Sequence, residues 1–189
     1  MPAIAEAFDF SSALARERLD AEGIDVVFID APSEAIPEWG VGGYTYGPHV
    51  IVVAMDAAAD IDGRWITSTL VHEFHHAMRE RGPGCGGMLA DMFASEGLAV
   101  LFEEEVTGAL PFYCQVDLRE DQVALARASL YSLPYRQSKW FFGADGVTRG
   151  FGYAFGYAVC RAYATSRSLS AAELLVVPPD ALFPRADDR

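Results

Sequence analysis

The chain has 189 residues, of which 51% are hydrophobic and 22% are charged. This length is that of one ordinary globular domain, and it allows roughly two-thirds of the surface of the unfolded chain to be buried on folding. Disorder throughout the chain is excluded, and such a core needs no disulfide framework for stability. We therefore expect one domain that spans residues 1–189.

The balance of charge limits the possible partners. The chain has 14 Lys and Arg residues against 27 Asp and Glu residues, which gives a formal net charge of −13. Such a surface repels phosphate backbones and anionic lipids, so neither a nucleic acid nor a membrane is an expected partner. Cys85, Cys114 and Cys160 lack CxxC spacing, and the N-terminus lacks a signal-peptide pattern. These observations favour a cytoplasmic protein with reduced thiols, and no pattern indicates an oligomeric state.

The N-terminal part of the sequence contains helical and extended patterns. Leu14 and Leu19 stand among charged residues in a segment that ends before Gly23, which is typical of an amphipathic helix. Two short runs rich in β-branched residues predict strands, and the Pro- and Gly-rich stretch between them predicts a loop. The predicted elements are a helix over residues 8–21, a strand over 24–29, a loop over 31–48 and a strand over 49–55.

After the second strand the pattern becomes helical. Asp62 or Gly63 is a suitable N-cap for the first helix, and the segment RGPGCGG ends it. The predicted elements are helices over 64–80, 88–106, 119–133 and 151–165, a turn over 142–146, and a short helix from residue 170 that ends at Pro178 and Pro179. Strands followed by helices predict an α+β fold, with a small N-terminal β-sheet packed on a mainly helical body.

Residues 72–76 read His-Glu-Phe-His-His, which matches the pattern HExxH. On a helix, residues four apart lie about 40° apart around the axis and about 6 Å apart along it, so His72 and His76 can bind one metal ion from the same face. Glu73 lies about 100° further round, where its carboxylate can accept a proton from water activated by the metal. The motif therefore predicts a zinc site with His72 and His76 as ligands and Glu73 as the general base.

A catalytic zinc ion requires a third protein ligand. Glu96 lies on the next predicted helix, twenty residues after His76, and the Gly-rich turn over residues 82–87 lets that helix fold back against the first. The small neighbours of Glu96 allow close helix contact, which favours it over Glu103, a member of an acidic run. We expect Glu96 to be the third ligand and Glu103 to line the cleft or lie on a solvated face.

Three further side chains of metal-binding type are weaker candidates. His75 is expected to be a partly exposed helix residue, although an i, i+3 pair with His72 could also bind a metal. His49 is expected to be a strand side chain or a group at the rim of the cleft. Cys85 lies in the Gly-rich turn, where an ordinary surface thiol is expected.

A segment near the C-terminus offers donors for a developing oxyanion. Tyr153 and Tyr157 are four residues apart and share one face of the predicted helix over 151–165, and Arg161 follows one turn later. Two glycines on an adjacent face allow this helix to pack closely against another backbone. Either hydroxyl group or the guanidinium can stabilise an oxyanion. The alternative is that both tyrosines are core residues with satisfied hydroxyl groups.

The ordered set of segments HEFHH, SEGLAV and GYAFGY, followed by a helix and SAAELL, resembles the YjaZ-like predicted zinc-dependent proteases from about Gly42 to Phe183. The spacing of Glu96 is also similar to that in gluzincins, in which a Glu on the following helix is the third zinc ligand. Thermolysin-like gluzincins have an acidic residue four positions after this Glu, whereas this sequence has Val100.

The resemblance implies a zincin-like fold of minimal gluzincin type and a functional role for each motif. It implies His72, His76 and Glu96 as zinc ligands and Glu73 as the general base. It further implies an oxyanion stabiliser from the GYAFGY segment. The strand over 49–55 would border the cleft, where an extended peptide could pair with it.

We therefore predict a zinc-dependent metallopeptidase that hydrolyses peptides or proteins. The main alternative is a non-catalytic, metal-stabilised module that binds peptides or has a regulatory role, because the small chain has no obvious additional substrate-binding domain. A deformylase-like hydrolase is disfavoured, since that chemistry requires a Cys ligand upstream of the motif helix. Every Cys of this chain lies downstream of it.

Overall fold

The structure is a computed structural model that describes residues 2–84 and 86–185. It confirms the predicted α+β class, with a small three-stranded sheet and a majority of helical residues. The helices are α1 (Pro2–Leu19), α2 (Gly63–Glu80), α3 (Leu89–Thr107), α4 (Glu120–Ser129), α5 (Gln137–Phe141), α6 (Phe151–Arg167) and α7 (Pro179–Leu182). The strands are β1 (Asp25–Asp30), β2 (Val41–Thr45) and β3 (Val50–Met55). The chain divides into two compact units, Met1–Arg81 and Gly82–Arg189.

The sheet of the first unit has the strand order β1-β3-β2, in which β3 runs parallel to β1 and antiparallel to β2. β1 and β3 correspond to the two predicted strands. Because β3 is paired on both sides, the expectation that an extended peptide pairs with it is wrong. The strands at the edges of the sheet are β1 and β2.

β2 lies within the stretch that the sequence predicts to be a loop. Glycines have low β-propensity, but here both occupy positions where a side chain would collide with a neighbour. A Cβ atom on Gly42 would lie 2.9 Å from the carbonyl oxygen of Glu34, and one on Gly43 would lie 2.4 Å from Cγ of Glu73. The strand forms through its pairing with β3 and its contact with α2, so tertiary contacts override the local composition.

α2 begins and ends close to its predicted limits. Asp62 is its N-cap, and Oδ1 of Asp62 accepts a hydrogen bond of 3.0 Å from the backbone N–H of Arg64, which confirms one of the two predicted caps. The helix contacts α1, β2 and β3. Twelve of its 18 residues are buried, so α2 is enclosed on most of its faces.

The core of the second unit forms around α3 and α6. A Cβ atom on Gly97 would lie 2.3 Å from the carbonyl carbon of Gly156, so the two backbones touch at this point. The prediction that glycines allow close backbone packing is confirmed at Gly156. Phe93 of α3 is completely buried, and its ring packs against the rings of Phe155 and Trp140 with centroid distances of 5.2 and 5.7 Å.

Some boundaries of the helices differ from the prediction. α1 begins at Pro2 instead of residue 8, α4 ends at Ser129 instead of residue 133, and α7 begins at Pro179, where the predicted terminal helix ends. A proline fits the first turn of a helix, which accounts for both of the proline starts. α5 is absent from the prediction and is fixed by the burial of Trp140 and Phe141.

Two of the three cysteines can be located. Cys114 and Cys160 are free and buried, whereas Cys85 lies outside the described residues together with the prediction made for it. Across residues 2–84 and 86–185, no helix has the length and apolar character that a bilayer crossing requires.

Candidate metal centre

α2 presents the two histidines of the HExxH motif from successive turns. The Nε2 atoms of His72 and His76 lie 3.0 Å apart, and the centroids of the two rings lie 4.7 Å apart. Both side chains are buried, with exposed fractions of 7% and 8%. Two imidazoles bound to one tetrahedral zinc ion at the usual Zn–N distance would hold their nitrogens about 3.3 Å apart, so this pair is close to a ligating arrangement.

Glu96 of α3 contributes the third potential ligand. One ligand atom from each of His72, His76 and Glu96 lies within 4.8 Å of the other two. Within the part of the chain that the structure describes, this is the group of three His, Cys, Asp or Glu residues that could hold a metal ion. The structure therefore brings together the three residues that the sequence analysis selects as ligands.

Glu73 is buried beside the two histidines, with an exposed fraction of 7%. Its carboxylate lies against β2, where Oγ1 of Thr45 is 2.7 Å from Oε2 of Glu73 and 3.1 Å from the backbone oxygen of the same residue. Gly43 of β2 lies on the same side, close to Cγ and Oε1 of Glu73. Thr45 and Gly43 are not among the predicted site residues, because their segment has the composition of a loop. The run Tyr-Thr-Tyr over residues 44–46, with its high β-propensity, was the available signal.

The weaker candidates do not belong to the group formed by His72, His76 and Glu96. His75 is completely buried, so the expectation of a partly exposed residue is wrong, and the reason is the enclosure of α2 on most of its faces. His49 is exposed at the start of β3, with Nδ1 3.1 Å from the backbone oxygen of Gly23. Glu103 is completely buried, so the expectation of a solvated face is wrong, and one of its carboxylate oxygens accepts a hydrogen bond of 2.8 Å from the hydroxyl group of Tyr113.

Tyr113 connects this buried carboxylate with Tyr153 of α6. Burial raises the pKa of Tyr113 well above its usual value, and the charge of Glu103, the nearby Tyr153, the hydrogen bond to Glu103 and the charge of Glu96 act in the same direction. The ring of Tyr113 also packs against that of Tyr153, with a centroid distance of 4.7 Å. Tyr113 therefore stays a neutral hydrogen-bond donor, and it lies near both Tyr153 and Glu96.

Tyr157 has a different environment. Its hydroxyl group donates a hydrogen bond of 2.6 Å to Oε2 of Glu104, and Nη1 of Arg161 lies 3.0 Å from Oε1 of the same carboxylate and contacts the Tyr157 oxygen. Burial and then the hydrogen bond to Glu104 raise the pKa of Tyr157 to about 12, although Arg161 acts in the opposite direction. Tyr157, Glu104 and Arg161 thus form one polar cluster on α3 and α6.

Comparison with known families agrees with this description. Residues 7–183 match the family described as "Predicted Zn-dependent protease (DUF2268)", and the chain belongs to that family. No curated protein and no solved structure matches the chain.

Proposed function

We propose that this protein is a zinc-dependent metallopeptidase of gluzincin type, related to the YjaZ-like proteases, in which His72, His76 and Glu96 bind the metal and Glu73 is the general base. The observation that carries the proposal is the convergence of the three ligand atoms within 4.8 Å of one another. The family described as predicted zinc-dependent proteases supports the choice of metal and of reaction.

The donor set fits a catalytic zinc ion. Two imidazole nitrogens and one carboxylate are a ligand combination used by zinc peptidases, in which the remaining position is open to water or substrate. The separation of 3.0 Å between the two Nε2 atoms supports this fit. When bound, zinc supplies a Lewis acid that lowers the pKa of water and polarises the scissile carbonyl group.

Glu73 performs the proton transfers in this proposal. Its carboxylate accepts the proton of the attacking water, and it then delivers that proton to the amine that leaves when the peptide C–N bond breaks. The burial of Glu73 next to His72 and His76 supports this role, because a general base must lie within hydrogen-bond reach of the attacking water.

The substrate pairs with β2 rather than with β3. Tyr46 N–H donates to the Val50 oxygen and Asp56 N–H donates to the Gly40 oxygen, so the even-numbered residues of this segment exchange hydrogen bonds with β3. The alternation of an antiparallel ladder then directs the backbone N–H and C=O groups of Gly43 and Thr45 away from β3. An extended peptide can bind to these groups by strand addition, beside Glu73.

The oxyanion is stabilised by Tyr153 in this proposal. The hydroxyl group of Tyr157 is bonded to Glu104, and eight residues separate Glu104 from Glu96, which corresponds to about 12 Å along α3. Tyr153 instead packs against Tyr113, which lies within the electrostatic influence of Glu96. These contacts favour Tyr153 over both Tyr157 and Arg161 as the donor.

The experiment compares metal content and peptide cleavage in the wild type and in Glu73→Gln. We expect both proteins to bind one zinc ion, and we expect Glu73→Gln to cleave an unfolded protein substrate at only a small residual fraction of the wild-type rate. If Glu73→Gln retains full turnover, the general-base role is wrong. If the wild type binds zinc and peptides but cleaves none of them, the protein is the non-catalytic binding module.

A further inference from the structure

We infer that Thr45 is a positioning residue for the general base: its hydroxyl group holds Oε2 of Glu73 and so directs Oε1 toward the attacking water. The inference rests on the proposed function, and it adds to it a residue outside the HExxH motif. Oγ1 of Thr45 lies 2.7 Å from Oε2 of Glu73 and 3.1 Å from the backbone oxygen of Glu73. A hydroxyl group has one proton to donate, and the shorter contact to a charged oxygen identifies the carboxylate as its main acceptor.

Among the described residues, no other side chain donates a hydrogen bond to this carboxylate. Over residues 2–84 and 86–185, Thr45 is the residue whose side chain donates to Glu73, and Oε1 accepts no hydrogen bond. A buried carboxylate without a bound partner is free to change its rotamer, and each rotamer places the proton-accepting oxygen differently. One hydrogen bond to Oε2 therefore removes much of this freedom and leaves Oε1 as the oxygen that accepts the proton.

The pleat of β2 directs Thr45 toward α2. Side chains alternate between the two faces of a strand, and Tyr44 and Tyr46, which are 61% and 66% exposed, lie on the face opposite to Thr45. The pairing of Thr45 with Ile51 and the hydrogen bond of 2.8 Å from Tyr46 N–H to the Val50 oxygen fix this end of the strand. Threonine is branched at Cβ and has few rotamers, so its hydroxyl group is held in place at low entropic cost.

Gly43 leaves room for the same carboxylate beside the strand. A Cβ atom at this position would lie 2.4 Å from Cγ and 2.8 Å from Oε1 of Glu73, which are distances that real Cβ atoms do not adopt. The glycine therefore provides the space that Glu73 occupies, while Thr45, two residues further along the strand, supplies the hydrogen bond. Glycine and threonine at alternate positions of β2 together define the orientation of the base.

The test uses a matched pair of substitutions in the zinc-loaded protein. Thr45→Val keeps the shape of the side chain and removes the hydroxyl group, whereas Thr45→Ser keeps the hydroxyl group and removes a methyl group. A hydrogen bond to a charged group contributes enough to predict a decrease of kcat by about 10- to 100-fold in Thr45→Val. We expect KM to change by less than about twofold, since the hydroxyl group of Thr45 acts on the transition state and the substitution leaves the backbone groups that bind the substrate in place. Thr45→Ser should restore kcat to within about threefold of the wild type.

Two controls separate positioning from a structural role. Tyr46→Phe removes a hydroxyl group from a residue that lies outside β2, on the face opposite to Thr45, and should leave kcat unchanged. Thr45→Val added to Glu73→Gln should cause no further loss, because the residue acts only through the base. Zinc content should be the same in all of these variants, since Thr45 is not one of the three grouped ligands.

The outcomes test the role of Thr45 separately from the proposed function. The assignment of Thr45 is overturned if Thr45→Val keeps the kcat of the wild type, or if Thr45→Ser is as impaired as Thr45→Val, which would indicate loss of packing. It is also overturned if Thr45→Val lowers kcat equally in the Glu73→Gln background. A wild type that binds zinc and cleaves no peptide overturns the proposed function itself, together with the role of Thr45.

Discussion

Nε2 of His72 and Nε2 of His76 lie 3.0 Å apart, and both side chains are buried. Without a metal, this distance requires one nitrogen to carry a proton and donate it to the other. With a metal, both nitrogens offer lone pairs to the ion, and Glu96 adds a negative charge to the group. Metal binding at the two Nε2 atoms and protonation of either atom are therefore alternatives, and zinc bound to this group, as we propose, would stabilise the folded protein.

Removal of the metal should destabilise the fold. A ligand present at 100 times its Kd stabilises the folded state by about 2.7 kcal/mol, so chelation should lower the melting temperature of a chain of this length by about 5 to 11 °C. Thermal unfolding with and without a chelator measures the effect. His76→Ala should abolish the shift, and His49→Ala, which changes an exposed histidine outside the group, should preserve it. If the chelator lowers the melting temperature of His76→Ala as much as that of the wild type, the metal binds elsewhere.

Gly43→Ala should impair catalysis without removing the metal. The added methyl group would lie 2.4 Å from Cγ of Glu73 and displace its carboxylate. We expect a loss of stability of about 1–3 kcal/mol and a decrease of kcat of at least about tenfold, because small displacements of a catalytic group are costly. The control is Gly63→Ala, whose Cβ would lie 3.6 Å from that of Ala3, an ordinary contact. Steady-state kinetics at equal zinc content measures the difference, and unchanged kinetics in Gly43→Ala would contradict it.

The two tyrosines of α6 should differ in their effect on turnover. Loss of one oxyanion donor typically lowers kcat by a factor on the order of 100, which we expect for Tyr153→Phe. Tyr157→Phe should lower kcat by less than about tenfold, because the hydroxyl group of Tyr157 is bonded to Glu104. Both variants should be compared by kcat and KM on one peptide substrate. A larger decrease of kcat in Tyr157→Phe than in Tyr153→Phe would indicate that Tyr157 is the oxyanion donor.

The stability of the protein should fall in alkaline solution, partly through Tyr157. Its pKa is raised to about 12 in the folded state, by burial first and by the hydrogen bond to Glu104 second, against a usual value of 10.0. Between these two values the unfolded chain loses this proton while the folded chain keeps it. The free energy of unfolding therefore decreases as the pH rises from 10 to 12.

Urea denaturation at pH 8 and near pH 11 measures this decrease. Tyr157→Phe should reduce the difference between the two pH values, since it removes the titrating group. Tyr46→Phe serves as the control, because it removes a hydroxyl group from a ring that is 66% exposed. If Tyr157→Phe shows the same decrease as the wild type, other groups cause it.

The sequence predicts well those elements that depend on local residue patterns. The helical period and the Asp62 cap locate α2, and the spacing of four between His72 and His76 places both rings on one face whatever surrounds them. Glu96 could also be selected, since its small neighbours and its place after the Gly-rich turn are visible in the sequence. The structure groups this residue with the two histidines.

The parts that escape prediction depend on tertiary contacts. Gly42 and Gly43 look like loop residues until Glu34 and Glu73 are placed against them, so the β-propensity of residues 44–46 is the one local signal for β2, and the local pattern does not predict the hydrogen bond from Thr45. The burial of His75 has the same origin, because the enclosure of α2 comes from α1 and the sheet. Only the packed fold reveals these relationships.

The most direct test of the account is the zinc affinity of the wild type, Glu96→Gln and Glu103→Gln, measured by competition with a zinc chelator. The account predicts one zinc ion per chain in the wild type and a similar affinity in Glu103→Gln. In Glu96→Gln it predicts an affinity that is lower by at least about tenfold, because a neutral amide is a weaker ligand than a carboxylate. A wild type that binds no zinc, or a Glu96→Gln variant that binds as tightly as the wild type, would contradict it.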